Sequence, residues 1–337
     1  GYYLGFANTA LWPLCHMLVQ HFEFQTEQWT RYQVVNARFA EALADEVRRA
    51  STQRGEPIVW IQDYHFALVA HMLREQCPTA FIHQFWHIPF PPADILRFLP
   101  INVYTALLRG MLGNDLLEFH TERYALNFLS CVEQKLPEAD VDMRTRTVRY
   151  RGRTVHVGAF PISIDFQQYE SLALAPRGER LVRDLRDRYA RGGTRQLGVS
   201  VDRVDYTKGI PERLRALELV WTQHPELRGC FSFLLVATPS RTDLGPYQQL
   251  EQEVVALVKG INERFGTPDW TPLVLVNENV TADLLAGIYR AADLCLVSSL
   301  QDGMNLVAKE FIACQTDERG VLLLSRFTGA AEEIDGA

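Results

Sequence analysis

Short apolar runs alternate with longer amphipathic stretches along almost the whole chain. The apolar runs are rich in Val, Leu, Ile and Phe and are bounded by turn residues, a pattern typical of strands buried on both faces of a parallel sheet. They predict strands at 57–62, 80–86, 115–119, 155–160, 197–201, 231–237, 273–277, 294–297 and 321–325. The amphipathic stretches predict helices at 28–50, 67–75, 102–111, 122–134, 177–189, 211–224, 246–264, 282–291 and 304–313.

This alternation predicts an α/β fold with parallel, doubly wound, Rossmann-like sheets. A chain of 337 residues is longer than most single cores, so we expect two domains. The strand at 155–160 runs into Pro-Ile-Ser-Ile-Asp, and a new strand–helix series begins at Leu197. We therefore expect domains at 1–165 and 166–337. Two such sheets should face a cleft, with ligands beyond the carboxyl ends of their strands.

The charge balance restricts the partners of the protein. The formal charge is −7, so nucleic acid is not expected to bind, and any bound phosphate needs a local cluster of cations. The six cysteines show neither a CxxC pair nor a spacing typical of metal sites, which predicts buried thiols in a reducing compartment and no metal. No cofactor is expected, and the sequence leaves open whether the protein is a homo-oligomer.

No apolar stretch is long enough to span a bilayer, and no signal peptide is evident, so we expect a cytoplasmic protein. The chain begins with Gly1 in place of Met and stops at Ala337, just after a helical pattern. We expect that both natural ends are missing.

A first candidate loop, at 201–209, leaves a strand and enters a helix. It places Arg203 and Lys208 at a carboxyl strand end, where a guanidinium can grip a diphosphate bidentately and an ammonium supplies a compact charge. Taken alone, this loop also fits an interpretation in which Arg203 pairs with Asp202 or Asp205 on the surface.

A second candidate loop, at 299–310, also joins a strand to a helix. The free N–H groups of a helix start bind anions, and side chains tilt towards that end, so Glu310 leans back towards a ligand on the face of Val307. A carboxylate there can accept hydrogen bonds from a ribose diol. Taken alone, the loop is better explained by Asp302 capping the helix and Glu310 being solvated.

Further candidates follow other predicted strands. Asp63 could be only a helix N-cap, and His87 only a core histidine. Arg241 adds a third cation, after Arg203 and Lys208, at a strand end of the second half. Tyr3 and Trp12, before the first helix, could stack on a sugar or pack in the core.

Five motifs decide between these interpretations when they are taken together. YYxGFxNxxLWPL, the DYH turn, HIPFP, DRVDYTKG and DGMNLVAKE occur in this order along the chain. The set resembles the trehalose-6-phosphate synthases of glycosyltransferase family 20, which are retaining enzymes of the GT-B type with two Rossmann-like domains. The likeness runs through nearly the whole chain.

The resemblance implies a role for each matching position. The donor's diphosphate would be held by Arg203 and Lys208, and its ribose by Glu310. Asn305, Leu306 and Val307 would offer backbone contacts to the donor, while Asp302 and His87 would hold hydroxyls of the transferred glucose. Asp63, Tyr3, Trp12 and Arg241 would lie on the acceptor side, and the catalytic set would be Arg203, Lys208, Asp302, His87 and Asp63.

The chain also departs from the family pattern. Gln62 stands where a His is usual, and Gln301 where an Arg is usual. The family has a segment before Tyr3 with a Gly-rich loop over the donor phosphates and an Arg for the acceptor phosphate. It also continues beyond Ala337.

The resemblance implies transfer of glucose from a nucleoside diphosphate glucose to glucose 6-phosphate. The loops do not reveal whether the base is uridine, adenosine or guanosine. One alternative is a glucosylglycerol-phosphate synthase that uses glycerol 3-phosphate, and another is a non-catalytic sensor of sugar phosphates. A nicotinamide-dependent dehydrogenase fits less well because no GxGxxG follows a strand.

Overall fold

The computed structural model describes residues 1–54, 57–240 and 245–335. The chain divides into two units, Gly1–Ile162 (unit 1) and Ser163–Ala337 (unit 2). Each unit is built around its own sheet.

Unit 1 begins with a π-helical segment, Tyr2–Leu11, which the sequence pattern did not predict. Its α-helices are α1 (Trp12–Cys15), α2 (Thr26–Arg54), α3 (Val69–Gln76), α4 (Ala93–Leu96), α5 (Ile101–Met111) and α6 (Glu122–Lys135). Its strands are β1 (Ile58–Gln62), β2 (Phe81–Trp86), β3 (Leu116–Phe119), β4 (Asp140–Asp142), β5 (Thr147–Tyr150) and β6 (Arg153–Ala159). Short 3₁₀ turns lie at Val19–His21 and Tyr64–Phe66.

The strands of unit 1 form a sheet in the order β1-β2-β3-β6-β5-β4. The first four are parallel, and β5 and β4 extend the sheet as an antiparallel hairpin. On β1, Val59 and Ile61 pack with α2 and α3, whereas Ile58 and Trp60 point to the opposite face and are 71% and 63% exposed. The prediction of burial on both faces is therefore wrong for β1, an edge strand covered on one side.

Unit 2 contains α7 (Phe166–Leu174), α8 (Pro176–Tyr189), α9 (Ile210–Gln223), α10 (Gly245–Phe265), α11 (Ala282–Ala291) and α12 (Leu306–Cys314). Its strands are β7 (Gln196–Arg203), β8 (Phe231–Thr238), β9 (Leu273–Val276), β10 (Leu294–Val297) and β11 (Val321–Leu324). The 3₁₀ turns of this unit lie at Arg191–Gly193, Tyr206–Lys208, Pro225–Leu227 and Gly329–Glu332.

The sheet of unit 2 is parallel throughout, in the order β11-β10-β7-β8-β9. Its central strands are buried on both faces, as predicted. Leu234 and Val236 of β8 pack in a cluster with residues of α11 and α12. Phe233 and Leu235, which alternate with them, pack with residues of α9 and α10. This alternation is the mark of a doubly wound sheet.

All six cysteines carry free thiols, and five of them are buried. Cys230 is exposed, because it lies in the turn that precedes β8 and not within a strand. Among residues 1–54, 57–240 and 245–335, no helix combines the length and the apolar character needed to cross a bilayer.

Candidate active site

The strand order of the unit 2 sheet reverses at β7, and this reversal determines where its loops meet. The chain passes from β7 to β8 and β9 on one side, and then returns to place β10 on the other side of β7. Ligands of open α/β sheets bind at such a switch point, beyond the carboxyl ends of the strands. The loops that follow β7 and β10 are the two charged loops that the sequence singled out.

Gly209 allows these loops to come into contact. Its φ is +63°, and a Cβ at this position would lie 2.5 Å from the carbonyl oxygen of Ser298. A larger residue would therefore suffer both backbone strain and a clash with the end of β10. The hydrogen bond from Leu300 N–H to the Thr207 carbonyl, at 2.8 Å, joins the same two loops.

Lys208 and Asp302 form an ion pair across this junction, with Nζ 2.5 Å from Oδ2. Both side chains are largely buried, at 15% and 14% exposure. Burial by itself lowers the pKa of Lys208, but the carboxylates of Asp302 and Asp202 outweigh it, so the pKa lies above its ordinary value. The structure thus holds a fully charged ammonium at the switch point.

Arg203 ends β7 and is exposed. Its predicted surface partners are engaged elsewhere, because Asp202 binds Arg213 and Asp205 accepts from the N–H and hydroxyl of Thr207. Within the three described ranges the structure shows no ion pair on Arg203. The surface-pair interpretation is therefore wrong, and the guanidinium remains available to an anion.

Arg213 and Asp202 form a second ion pair that sequence reasoning missed. The Arg213 Nη2 lies 2.7 Å from the Asp202 Oδ2, and the two side chains are 0% and 4% exposed. Arg213 also donates to the Ser298 hydroxyl at 2.9 Å and to the Lys208 carbonyl at 3.3 Å. Burial raises the pKa of Asp202, and Arg213 opposes that rise. This buried pair fixes the loop that carries Lys208.

The helix after β10 begins later than predicted, at Leu306, and Asn305 caps it. The Asn305 side-chain oxygen accepts from Ala308 N–H at 3.0 Å, and its amide donates to Asp302 at 3.0 Å. The interpretation of Asp302 as the cap is therefore wrong. Leu306 and Val307 are the first residues of the helix, and their N–H groups have no carbonyl partner within it.

Glu310 is not simply solvated, as the sequence suggested for its loop alone. Its two carboxylate oxygens accept hydrogen bonds from the hydroxyls of Tyr169 and Tyr289, each at 2.9 Å. Glu310 lies in the second turn of α12, so its side chain tilts towards the start of that helix. Neither tyrosine was predicted as a site residue.

In unit 1, Asp63 follows β1 with a left-handed backbone (φ +65°) that is rare for a non-glycine residue. Its Oδ1 accepts from His87 N–H at 3.1 Å. Its side chain makes no cap hydrogen bond to the following 3₁₀ turn, so the N-cap interpretation is wrong. Strain of this kind is concentrated at functional positions.

His87 follows β2 beside Asp63, and its ring is half-buried. Its Nε2 lies 2.7 Å from the Gln62 side-chain oxygen, and its ring stacks on Phe85 with centroids 4.6 Å apart. Since an amide oxygen only accepts, Nε2 carries the proton and Nδ1 is left as an acceptor. Burial lowers the pKa of His87, so the ring is neutral near pH 7.

The remaining predicted residues differ in exposure. Tyr3 is 46% exposed and stacks on His65, with ring centroids 5.3 Å apart. Trp12 is only 6% exposed, which favours the core-packing alternative for this residue. Gln301 is buried at 2% exposure. Arg241 lies outside the described residues.

Metal ligands do not cluster in the part of the chain that the structure describes. Within it, no group of three or more His, Cys, Asp or Glu side chains is placed to hold an ion. Positive charge at the switch point comes from Lys208, next to the exposed Arg203.

The sequence profile of glycosyltransferase family 20 matches residues 1–337. The chain belongs to this family. An α,α-trehalose-phosphate synthase [UDP-forming] 2 of Aspergillus niger is 40% identical over 341 residues, a match that covers 100% of this chain and 68% of the relative. Across the first three curated relatives, the chain spans 62% to 68% of their length.

Solved structures of similar proteins agree with this membership. A structure from E. coli bound with UDP-2-fluoro glucose is 35% identical, with a TM-score of 0.88, and the match covers 98% of this chain and 71% of that one. A UDP-forming α,α-trehalose-phosphate synthase from Burkholderia xenovorans in complex with glucose-6-phosphate is 34% identical, with a TM-score of 0.90. That match covers 100% of this chain and 72% of the other. The GT-B type fold predicted from the motifs is thereby confirmed.

Proposed function

We propose that this family 20 chain transfers glucose from UDP-glucose to glucose 6-phosphate with retention of the anomeric configuration, giving trehalose 6-phosphate and UDP. The observation that carries the proposal is the charged Lys208 at the switch point, with the exposed Arg203 at the end of β7, the strand whose following loop carries Lys208. The relative named as UDP-forming, and the similar structures bound with UDP-2-fluoro glucose and glucose-6-phosphate, support this choice of substrates.

The cations serve the leaving group. When the bond between the glucose C1 and the diphosphate oxygen breaks, negative charge grows on the diphosphate. Arg203, Lys208 and the N–H groups that open α12 stabilise that charge. Because the protein already holds Lys208 and these N–H groups in place, little reorganisation of them is required. Asp302 anchors Lys208, and its carboxylate is the group that the family resemblance implies for glucose hydroxyls.

Retention follows from attack on the same face. The acceptor oxygen bonds to C1 on the side from which the diphosphate departs, and its proton passes to the departing diphosphate oxygen. No enzymic nucleophile is needed, and the covalent alternative through Asp63 is less favoured because its Oδ1 is engaged by His87 N–H. Asp63, His87, Tyr3 and Arg241 remain the proposed hydroxyl and acceptor contacts.

The test uses the full-length protein with UDP-, ADP- and GDP-glucose, each paired with glucose 6-phosphate or glycerol 3-phosphate. We expect trehalose 6-phosphate from UDP-glucose and glucose 6-phosphate, identified by mass spectrometry, with the α,α linkage read from NMR coupling constants. Preference for glycerol 3-phosphate would contradict the acceptor assignment. Binding of UDP-glucose without product would indicate the sensor alternative.

A further inference from the structure

The Glu310 carboxylate is fixed by two hydroxyls that come from two different helices. Tyr169 on α7 donates to Oε1, and Tyr289 on α11 donates to Oε2, both at 2.9 Å. Residues of α11 and α12 form one buried cluster, against which Tyr169 also packs. The carboxylate is thus held from both sides by elements that the core of unit 2 keeps in place.

The two donors are themselves held firmly. Tyr289 is 0% exposed, and its ring meets Phe311 edge-on with centroids 6.4 Å apart. The backbone carbonyl of Tyr169 accepts a weak hydrogen bond from the Cys314 thiol at 3.8 Å. Burial, and secondarily Glu310, raise the pKa of both tyrosines, so their hydroxyls stay protonated and donate across the whole neutral range.

This arrangement leaves a defined set of acceptor sites on Glu310. A carboxylate offers about four lone-pair directions, two on each oxygen. Each tyrosine uses one direction on its own oxygen, so each oxygen keeps another for a ligand. Two adjacent oxygens with one free direction each match a vicinal diol, whose two hydroxyls donate side by side. A flexible glutamate would have to order its side chain on binding, at a cost in entropy.

We infer that Tyr169 and Tyr289 are positioning residues, which hold Glu310 so that it binds the 2′,3′-diol of the donor's ribose and selects ribonucleotides. The inference rests on the proposed function and on the ribose contact that the family resemblance implies for Glu310. It goes beyond that function by assigning the ribose preference to two tyrosines that donate to Glu310.

The experiment measures binding of UDP and of 2′,3′-dideoxy-UDP to the full-length protein by titration calorimetry. The unaltered protein should bind UDP more tightly than the dideoxy probe. In Tyr169→Phe and Tyr289→Phe, affinity for UDP should fall roughly fivefold, the size expected for one weakened hydrogen bond to a charged group. Affinity for the dideoxy probe should stay the same, because that probe has no diol.

Tyr189→Phe is the matched control, since Tyr189 lies on α8 of the same unit and packs against its core. It should leave both affinities unchanged. If Tyr289→Phe does not fold, as checked by thermal denaturation, the test relies on Tyr169→Phe alone, because Tyr169 is partly exposed.

Two results would overturn the inference. One is an equal loss of affinity for both probes in the tyrosine variants, which would mean a general effect on the fold of unit 2. The other is an unaltered protein that does not distinguish the probes. Failure of the proposed function would appear separately, as absence of glucosyl transfer by the unaltered protein.

Discussion

The carboxyl strand ends of the two units use different chemistry at corresponding positions. In unit 2 the loops after β7 and β10 bring together the full charges of Lys208 and Asp302, and a second ion pair joins Arg213 of α9 to Asp202 of β7. In unit 1 the ends of β1 and β2 are joined by hydrogen bonds from neutral donors, in which Asp63 accepts a backbone N–H and His87 meets an amide oxygen. The cations of unit 2 suit a departing diphosphate, whereas the hydrogen-bonding groups of unit 1 suit sugar hydroxyls.

The two units nevertheless share one backbone feature in the loops that follow their strands. Asp63 in unit 1 and Asn305 in unit 2 both have positive φ, at 65° and 80°. Each side chain accepts a nearby backbone N–H, that of His87 or of Ala308. Such conformations cost about 1–3 kcal/mol, which the local hydrogen bonds help to offset. The backbone is therefore strained where each loop must re-aim a polar side chain.

The largest expected effect comes from breaking the buried charge pair of unit 2. Arg213→Met leaves Asp202 buried without its partner and should lower the free energy of unfolding by about 3–5 kcal/mol, measured by urea denaturation. Arg215→Ala is the control, because Arg215 lies on the same helix in an exposed pair with Glu253 and should cost about 1 kcal/mol or less. Equal losses in both variants would remove the distinction between buried and exposed pairs.

Lys208→Ala should lower kcat by about 10²–10³-fold, because it removes a preorganised charge from the leaving group. Steady-state kinetics with the donor varied will measure this. Lys259→Ala, at an exposed lysine of α10, should leave kcat unchanged. An unaffected rate in Lys208→Ala would exclude this residue from the mechanism.

Arg203→Ala should lower kcat/KM for the donor by roughly tenfold, a smaller loss because the guanidinium is exposed. Its melting temperature should match that of the unaltered protein, since the described residues provide no ion pair for Arg203 to lose. Differential scanning fluorimetry alongside the kinetics separates the two effects. A lowered melting temperature would mean that Arg203 serves the fold.

The smallest expected effect is a pH dependence of stability that comes from two histidines of unit 1. Burial lowers the folded-state pKa of His87 and of His71, so the unfolded chain binds protons more readily. The free energy of unfolding should therefore be highest, as far as these histidines determine it, above about pH 6.5, the pKa of histidine in the unfolded chain. It should decline as the pH falls from there to the lower pKa values of the two histidines in the folded protein. Hydrogen exchange of the β2 amides between pH 7.5 and 5 will report the decline.

His87→Asn and His71→Asn should each flatten part of this dependence, because each removes one group that titrates. Carboxylates whose pKa values are lowered, such as Asp317, act at lower pH and outside this window. If stability still falls below about pH 6.5 to the same extent in both variants, groups other than these histidines cause the decline.

The sequence predicted the strands of unit 2 and the charged loops well, because buried parallel strands and turn residues leave strong local patterns. It missed the β4–β5 hairpin, since Asp140–Asp142 and Thr147–Tyr150 contain too many charged and polar residues to look like strands. It also missed α7, and with it Tyr169, because Phe166–Leu174 has little amphipathic pattern.

Partners distant in sequence could not be predicted in the same way. Lys208 and Asp302 are 94 residues apart, and only the strand order of unit 2 brings them together. Arg213 lies in a helix that the amphipathic pattern predicted, but that pattern does not reveal that Arg213 binds Asp202. The pattern shows which loops carry charge, whereas the pairing depends on topology.

The distribution of the thiols has a practical consequence. Cys230 is the exposed cysteine of the set, and it lies just before β8, at the amino end of the strand. The chemistry proposed for unit 2 lies at the carboxyl ends of the strands. A maleimide fluorophore should therefore attach at Cys230 without touching the substrates.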